Sequence, residues 1–76
     1  MVRTAREVLN ELRWREGDRL AEATISYRDR TAATGLRIIP GSAIVGLERR
    51  YFTTVSEGRL PYYKIERIER NGSLLF

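Results

Sequence analysis

The chain has 76 residues and a formal net charge of +4, with 32% charged and 42% hydrophobic residues, which suits one small domain, 1–76, and leaves no room for two compact cores. Thirteen of its 14 basic residues are arginine, Lys64 being the exception, and histidine, cysteine and glutamine are absent. Those absences exclude Ser-His-Asp and Cys-His nucleophile systems, zinc sites built from nitrogen and sulfur ligands, and disulfide bonds. No cofactor, no metal and no enzymatic activity are expected.

The 26 apolar residues other than alanine must therefore build the core unaided, which leaves few for a large substrate cavity. No apolar stretch approaches the length of a membrane-spanning helix, and the first residues carry no signal-peptide core, so a cytoplasmic location is expected. The pI of about 10.1 fits a nucleic-acid partner. The surplus is evenly spread, +2 over residues 1–43 and +2 over residues 44–76, and fits an ordinary solvated surface equally well. The arginine bias also suits a thermophilic or GC-rich source.

In chain order, Thr4 followed by Glu7 forms a capping-box pattern that starts a helix. Ala5, Val8, Leu9 and Leu12 recur at the spacing of one buried helical face. Arg3 with Glu7, and Glu11 with Arg15, are spaced for surface ion pairs, and Trp14 is expected to close the helix end onto the core. Gly17 and Asp18 break the pattern. Residues 23–28 then alternate apolar and polar side chains, as a half-buried strand does. A second strand covers 36–39 and ends at Pro40-Gly41, and residues 44–48 and 51–55 suggest a hairpin around Arg49-Arg50. After the turn at Ser56-Glu57-Gly58, a short strand begins near Leu60 and is interrupted by Pro61. The spacing of Ile65 and Ile68 suggests one helical turn, because the two would face opposite ways in a regular strand. Asn71-Gly72 is a hairpin signal that would join 68–70 to 73–76. The expected fold is α+β, an N-terminal helix packed on a highly curved antiparallel sheet or small β-barrel of five to six short strands. An open antiparallel sheet with the helix across one face is the alternative.

Aromatic residues sit beside cations at Tyr27 with Arg28 and Arg30, at Arg49-Arg50 with Tyr51, and at Tyr62-Tyr63 with Lys64. This mixture can stack bases and grip phosphates. Each also has a plain structural explanation: Tyr27 as a core residue, Arg49-Arg50 as a solvated turn, and one of the two adjacent tyrosines as a packed ring. The carboxylates alternate with arginines and form no catalytic pair, and neither Gly41-Ser42 nor Gly72-Ser73 has the spacing of a phosphate loop.

Three segments carry a resemblance. Residues 4–14 (TAREVLNELRW), 38–44 (IIPGSAI) and 60–68 (LPYYKIERI) resemble, in order, the landmarks of a small archaeal family, the RNA cyclic group end recognition domain. The resemblance implies a non-catalytic module that binds RNA ends bearing a cyclic phosphate or related group, found beside RNA repair or phosphoesterase domains in larger proteins. Tyr63 stands where the family signature has histidine, Lys64 where it has arginine, and Ala43 where it has an acidic residue. The candidate RNA-binding residues are Arg28, Arg30, Tyr62, Tyr63, Lys64 and Arg67, with Tyr62 as a stacking platform. The competing expectation is a protein-interaction or assembly module, a homodimer paired through the C-terminal edge strand or the partner of an RNA-processing protein.

Overall fold

The computed structural model describes residues 3–14 and 19–76. One helix, α1 (Ala5–Trp14), precedes seven strands: β1 (Ala23–Arg28), β2 (Leu36–Pro40), β3 (Ile44–Leu47), β4 (Tyr51–Thr54), β5 (Gly58–Pro61), β6 (Ile65–Arg70) and β7 (Ser73–Leu74). The helix starts as its sequence predicts. The Glu7 amide donates to the Thr4 hydroxyl at 3.2 Å and the Thr4 amide donates to the Glu7 carboxylate at 2.9 Å, which satisfies two orphan N-terminal donors. Ala5, Val8, Leu9 and Leu12 are buried along one stripe.

Two details of the helix differ from expectation. Arg3 pairs with Glu11, because the capping box already holds the Glu7 carboxylate. Trp14 is 73% exposed: two residues beyond Leu12 it lies about 200° around the helix from it, away from the buried stripe. The expected break at Gly17 and Asp18 and the pairing of Glu11 with Arg15 fall outside the described residues.

The strands form two antiparallel sheets, one of order β2-β1-β6-β7 and one of order β3-β4-β5, where the sequence suggested a single curved sheet or barrel. Two prolines account for the division. Pro40 and Pro61, both extended, end β2 and β5, and each is followed by a single 3-10 turn, Gly41–Ala43 and Tyr62–Lys64. A proline supplies no amide to continue a ladder, and the turn after it hands the chain to the other sheet. The helix and both sheets share one core, in which Val8, Leu9, Leu12, Leu20, Ile25, Tyr27, Phe52 and Ile68 are almost wholly buried.

Residues 65–68 also form a strand and not a helical turn; the helical turn lies three residues earlier. Tyr27 pairs with Ile65 but Ser26 pairs with Arg67, so β6 carries one extra residue there. Such a bulge shifts the inward and outward alternation by one position, which lets Ile65 and Ile68 both face the core. The final hairpin follows its sequence signal: Asn71 and Gly72 have φ of 52° and 81°, the paired positive values of a type I′ turn.

Candidate functional site

The turn Tyr62–Lys64 leaves the second sheet beside the end of β1, and the chain forms a cleft of about 700 Å³ there, lined among others by Arg28, Arg30, Tyr63 and Lys64. Four of the six candidate residues thus meet on one concavity. The adjacent tyrosines divide as consecutive residues of a turn must. Tyr62 packs against Phe52 with ring centroids 5.7 Å apart and donates its hydroxyl to the Glu48 carbonyl at 2.6 Å. Tyr63 is 74% exposed. The free aromatic face at this turn is therefore Tyr63, and not Tyr62 as the sequence suggested. Arg67 is not among the residues that line the cleft: it sits opposite Ser26 in the β1 and β6 pairing and is paired with Glu69 at 3.5 Å.

Arg28 and the other cations of the cleft differ in what holds them. The Arg28 guanidinium pairs with Glu66 at 3.1 Å and donates to the Tyr63 carbonyl at 2.9 Å. It ties the turn carrying Tyr63 to the end of β1, and its own charge is largely met. Arg30 and Lys64 have no ion-pair partner among the described residues. Two carboxylates also line the cleft, Asp29 and Glu57, and both are turned to Arg37. Asp29 accepts from the Arg37 Nε at 2.6 Å and from the Thr31 hydroxyl at 2.7 Å, and Glu57 lies 3.9 Å from the Arg37 guanidinium. The hydrogen bond from Thr31, and then that from Arg37, hold the Asp29 carboxyl down at about 2, so it stays ionised and engaged. Both acids of the cleft are drawn towards Arg37, Asp29 closely and Glu57 at the edge of contact, and the cleft keeps a net positive charge, with Arg30 and Lys64 lacking an ion-pair partner among the described residues beside an exposed aromatic ring.

Tyr27 borders the same cleft but is core, only 2% exposed, and its buried hydroxyl has no hydrogen-bond partner. Burial, with Glu57 close by, pushes its phenol upward, so the group remains neutral. An unpaired buried hydroxyl is unfavourable in the folded state. Tyr27→Phe should therefore raise the unfolding free energy by about 1 kcal/mol, as a higher urea midpoint with an unchanged slope; a lower midpoint would mean that the hydroxyl is hydrogen-bonded after all.

Residues 2–76 match the family model described as the MJ1316 RNA cyclic group end recognition domain. The chain belongs to this family. The match spans all three segments that carried the sequence resemblance. No curated protein and no solved structure matches the chain. Within this RNA cyclic group end recognition domain, the leucine-proline-tyrosine-tyrosine-lysine segment supplies the crossover turn and two of the cleft's residues, Tyr63 and Lys64. The isoleucine-proline-glycine-serine segment supplies the other crossover. Among the described residues no group of His, Cys, Asp and Glu side chains could hold a metal ion, and no helix is long and apolar enough to cross a membrane.

A second concavity went unread in the sequence. About 470 Å³ in volume, it is lined by Arg6, Arg49, Arg50, Tyr51, Pro61 and Tyr63 among others. Arg49-Arg50 with Tyr51 was visible as a cluster, but nothing local links it to Arg6 on the helix.

Proposed function

We propose that this domain is a non-catalytic module that binds RNA by its phosphate-bearing end, with the cleft at Arg30, Tyr63 and Lys64 as the end-binding site. The observation that carries this reading is the pair of cations, without an ion-pair partner among the described residues, beside the exposed Tyr63 ring, in a cleft of net positive charge whose two carboxylates are both turned to Arg37. Arg30 offers a planar fork to phosphate oxygens and Lys64 a point charge, while Tyr63 offers a flat face for the terminal base. Arg28 acts as a clamp that positions Tyr63 through its carbonyl. Binding needs no proton transfer, which agrees with a chain that has no histidine. A neutral phenol and an ammonium take the place of the histidine and arginine of the family signature, so charge recognition in this member rests on Arg30 and Lys64.

The alternative, an assembly module pairing through the C-terminal edge, has a smaller basis. β7 has only two residues, Ser73 and Leu74, and a strand that short offers little ladder to a second chain. The RNA reading is tested by titrating short RNAs that differ only in their 3′ terminus: 2′,3′-cyclic phosphate, 3′-phosphate or hydroxyl. The phosphate-bearing ends should bind more tightly than the hydroxyl end.

A further inference from the structure

We infer that the groove formed by Arg6, Arg49, Arg50, Tyr51 and Tyr63 is a second subsite, which holds the single-stranded nucleotides preceding the end bound in the cleft. The inference rests on the RNA-end reading and extends it from a terminal group to a strand. Its basis is independent of the cleft. No carboxylate lines the groove, and Arg6, Arg49 and Arg50 have no ion-pair partner among the described residues. The nearest acid in sequence, Glu48, is drawn off: its carboxylate accepts from the Thr53 hydroxyl at 2.8 Å and lies 3.8 Å from Arg59. The Glu48 amide donates to the Tyr51 carbonyl at 2.8 Å, which closes the turn so that Arg49 and Arg50 stand at its tip.

The floor of the groove suits bases. Tyr51 is directly opposite Pro61 in the β4 and β5 pairing, on the face away from buried Phe52, and is 42% exposed. Three guanidinium groups without an ion-pair partner among the described residues, around a tyrosine and a proline, make the mixture that binds single strands without reading their sequence: cations along the backbone and flat faces for bases. Tyr63 lines both concavities, so a strand whose last base rests on Tyr63 passes from the cleft into the groove without leaving the protein surface.

The experiment compares two probes carrying the same 2′,3′-cyclic phosphate, a dinucleotide and a hexanucleotide, by fluorescence anisotropy. The hexanucleotide should bind at least about tenfold more tightly, the expected yield of one further stacked base and its phosphates. Arg49→Ala with Arg50→Ala should abolish most of that advantage and lower the hexanucleotide's log-log salt slope by roughly 1.4, about 0.7 for each lost phosphate contact, with dinucleotide affinity unchanged. Tyr51→Ala should weaken the hexanucleotide alone and Tyr51→Phe should restore it, which separates lost stacking from lost folding. Equal affinity for the two lengths, or variants that weaken both probes alike, would overturn the subsite while leaving the end-binding cleft intact. A length advantage that depends on Arg49 and Arg50 but is indifferent to the chemistry of the end would support the groove and defeat the end reading.

Discussion

Gly41→Ala is expected to be the most damaging single-methyl change in the protein, at about 3–5 kcal/mol of stability. The residue opens the turn after Pro40, buried, at the crossover from β2 to β3. A Cβ on it would lie 1.8 Å from the Leu20 carbonyl oxygen and 2.8 Å from the Leu20 carbonyl carbon. Both are backbone atoms of the 3-10 turn Arg19–Glu22, whose Leu20 is itself buried in the core. No rotamer change relieves such a contact; the two turns must separate, and the core between them opens. A domain of this size has roughly 4–8 kcal/mol of stability to lose, at about 0.05–0.1 kcal/mol per residue, so Gly41→Ala is expected to remove about half of it or more and to lower the urea midpoint in proportion. Gly46→Ala is the matched control. There a Cβ meets only the Thr53 side chain, at 3.6 Å, an ordinary contact, and the urea midpoint should barely move. Equal midpoints for the two variants would refute the close approach at Gly41.

Removing Arg30 and Lys64 together should have the largest effect on function. Each charge-assisted hydrogen bond to a phosphate contributes about 1.5–3 kcal/mol, so Arg30→Ala combined with Lys64→Ala should weaken binding of a cyclic-phosphate end by about 100-fold or more. Neither side chain has an ion pair to lose among the described residues, and the melting temperature should stay within a few degrees of the parent. Arg67→Ala is the internal control. Arg67 does not line the cleft and pairs with Glu69, so end affinity should be unchanged although the loss of charge equals that of either cleft substitution alone. If Arg67→Ala cost as much as either cleft substitution, binding would reflect net charge and not a site.

The parts of this structure that could be read from the sequence are those whose determinants are local. The capping box at Thr4 and Glu7, the buried stripe of α1, the alternation in β1 and the type I′ turn at Asn71-Gly72 each depend on residues within one turn or one strand of each other. Failures occur where a local pattern meets a tertiary constraint. Ile65 and Ile68 have helical spacing, yet they share a face because a bulge against Ser26 and Tyr27 shifts the alternation; pairing between distant strands leaves no mark in a window of four residues. Which strands share a sheet was equally hidden, although Pro40 and Pro61, the residues that divide the sheets, were recognised as breaks.

The candidate site divides in the same way. Tyr63 and Lys64 are adjacent in the chain, and Arg28 and Arg30 are close to each other, so each pair was legible as a cluster of cation and aromatic. Their meeting across the fold depends on the Pro61 crossover and the Arg28 bond to the Tyr63 carbonyl. The role of Arg37 in drawing Asp29 and Glu57 towards itself could not be read at all, because Glu57 sits 20 residues away, in the hairpin turn of the other sheet. The pairing of Arg6 with Arg49 and Arg50 was hidden for the same reason.

The account is tested most directly by one titration of the intact protein against three RNAs identical but for the 3′ terminus. The cyclic-phosphate end should bind at least about tenfold more tightly than the hydroxyl end, the yield of a single charge-assisted contact, with the 3′-phosphate also above the hydroxyl. Equal affinity for all three ends would contradict it.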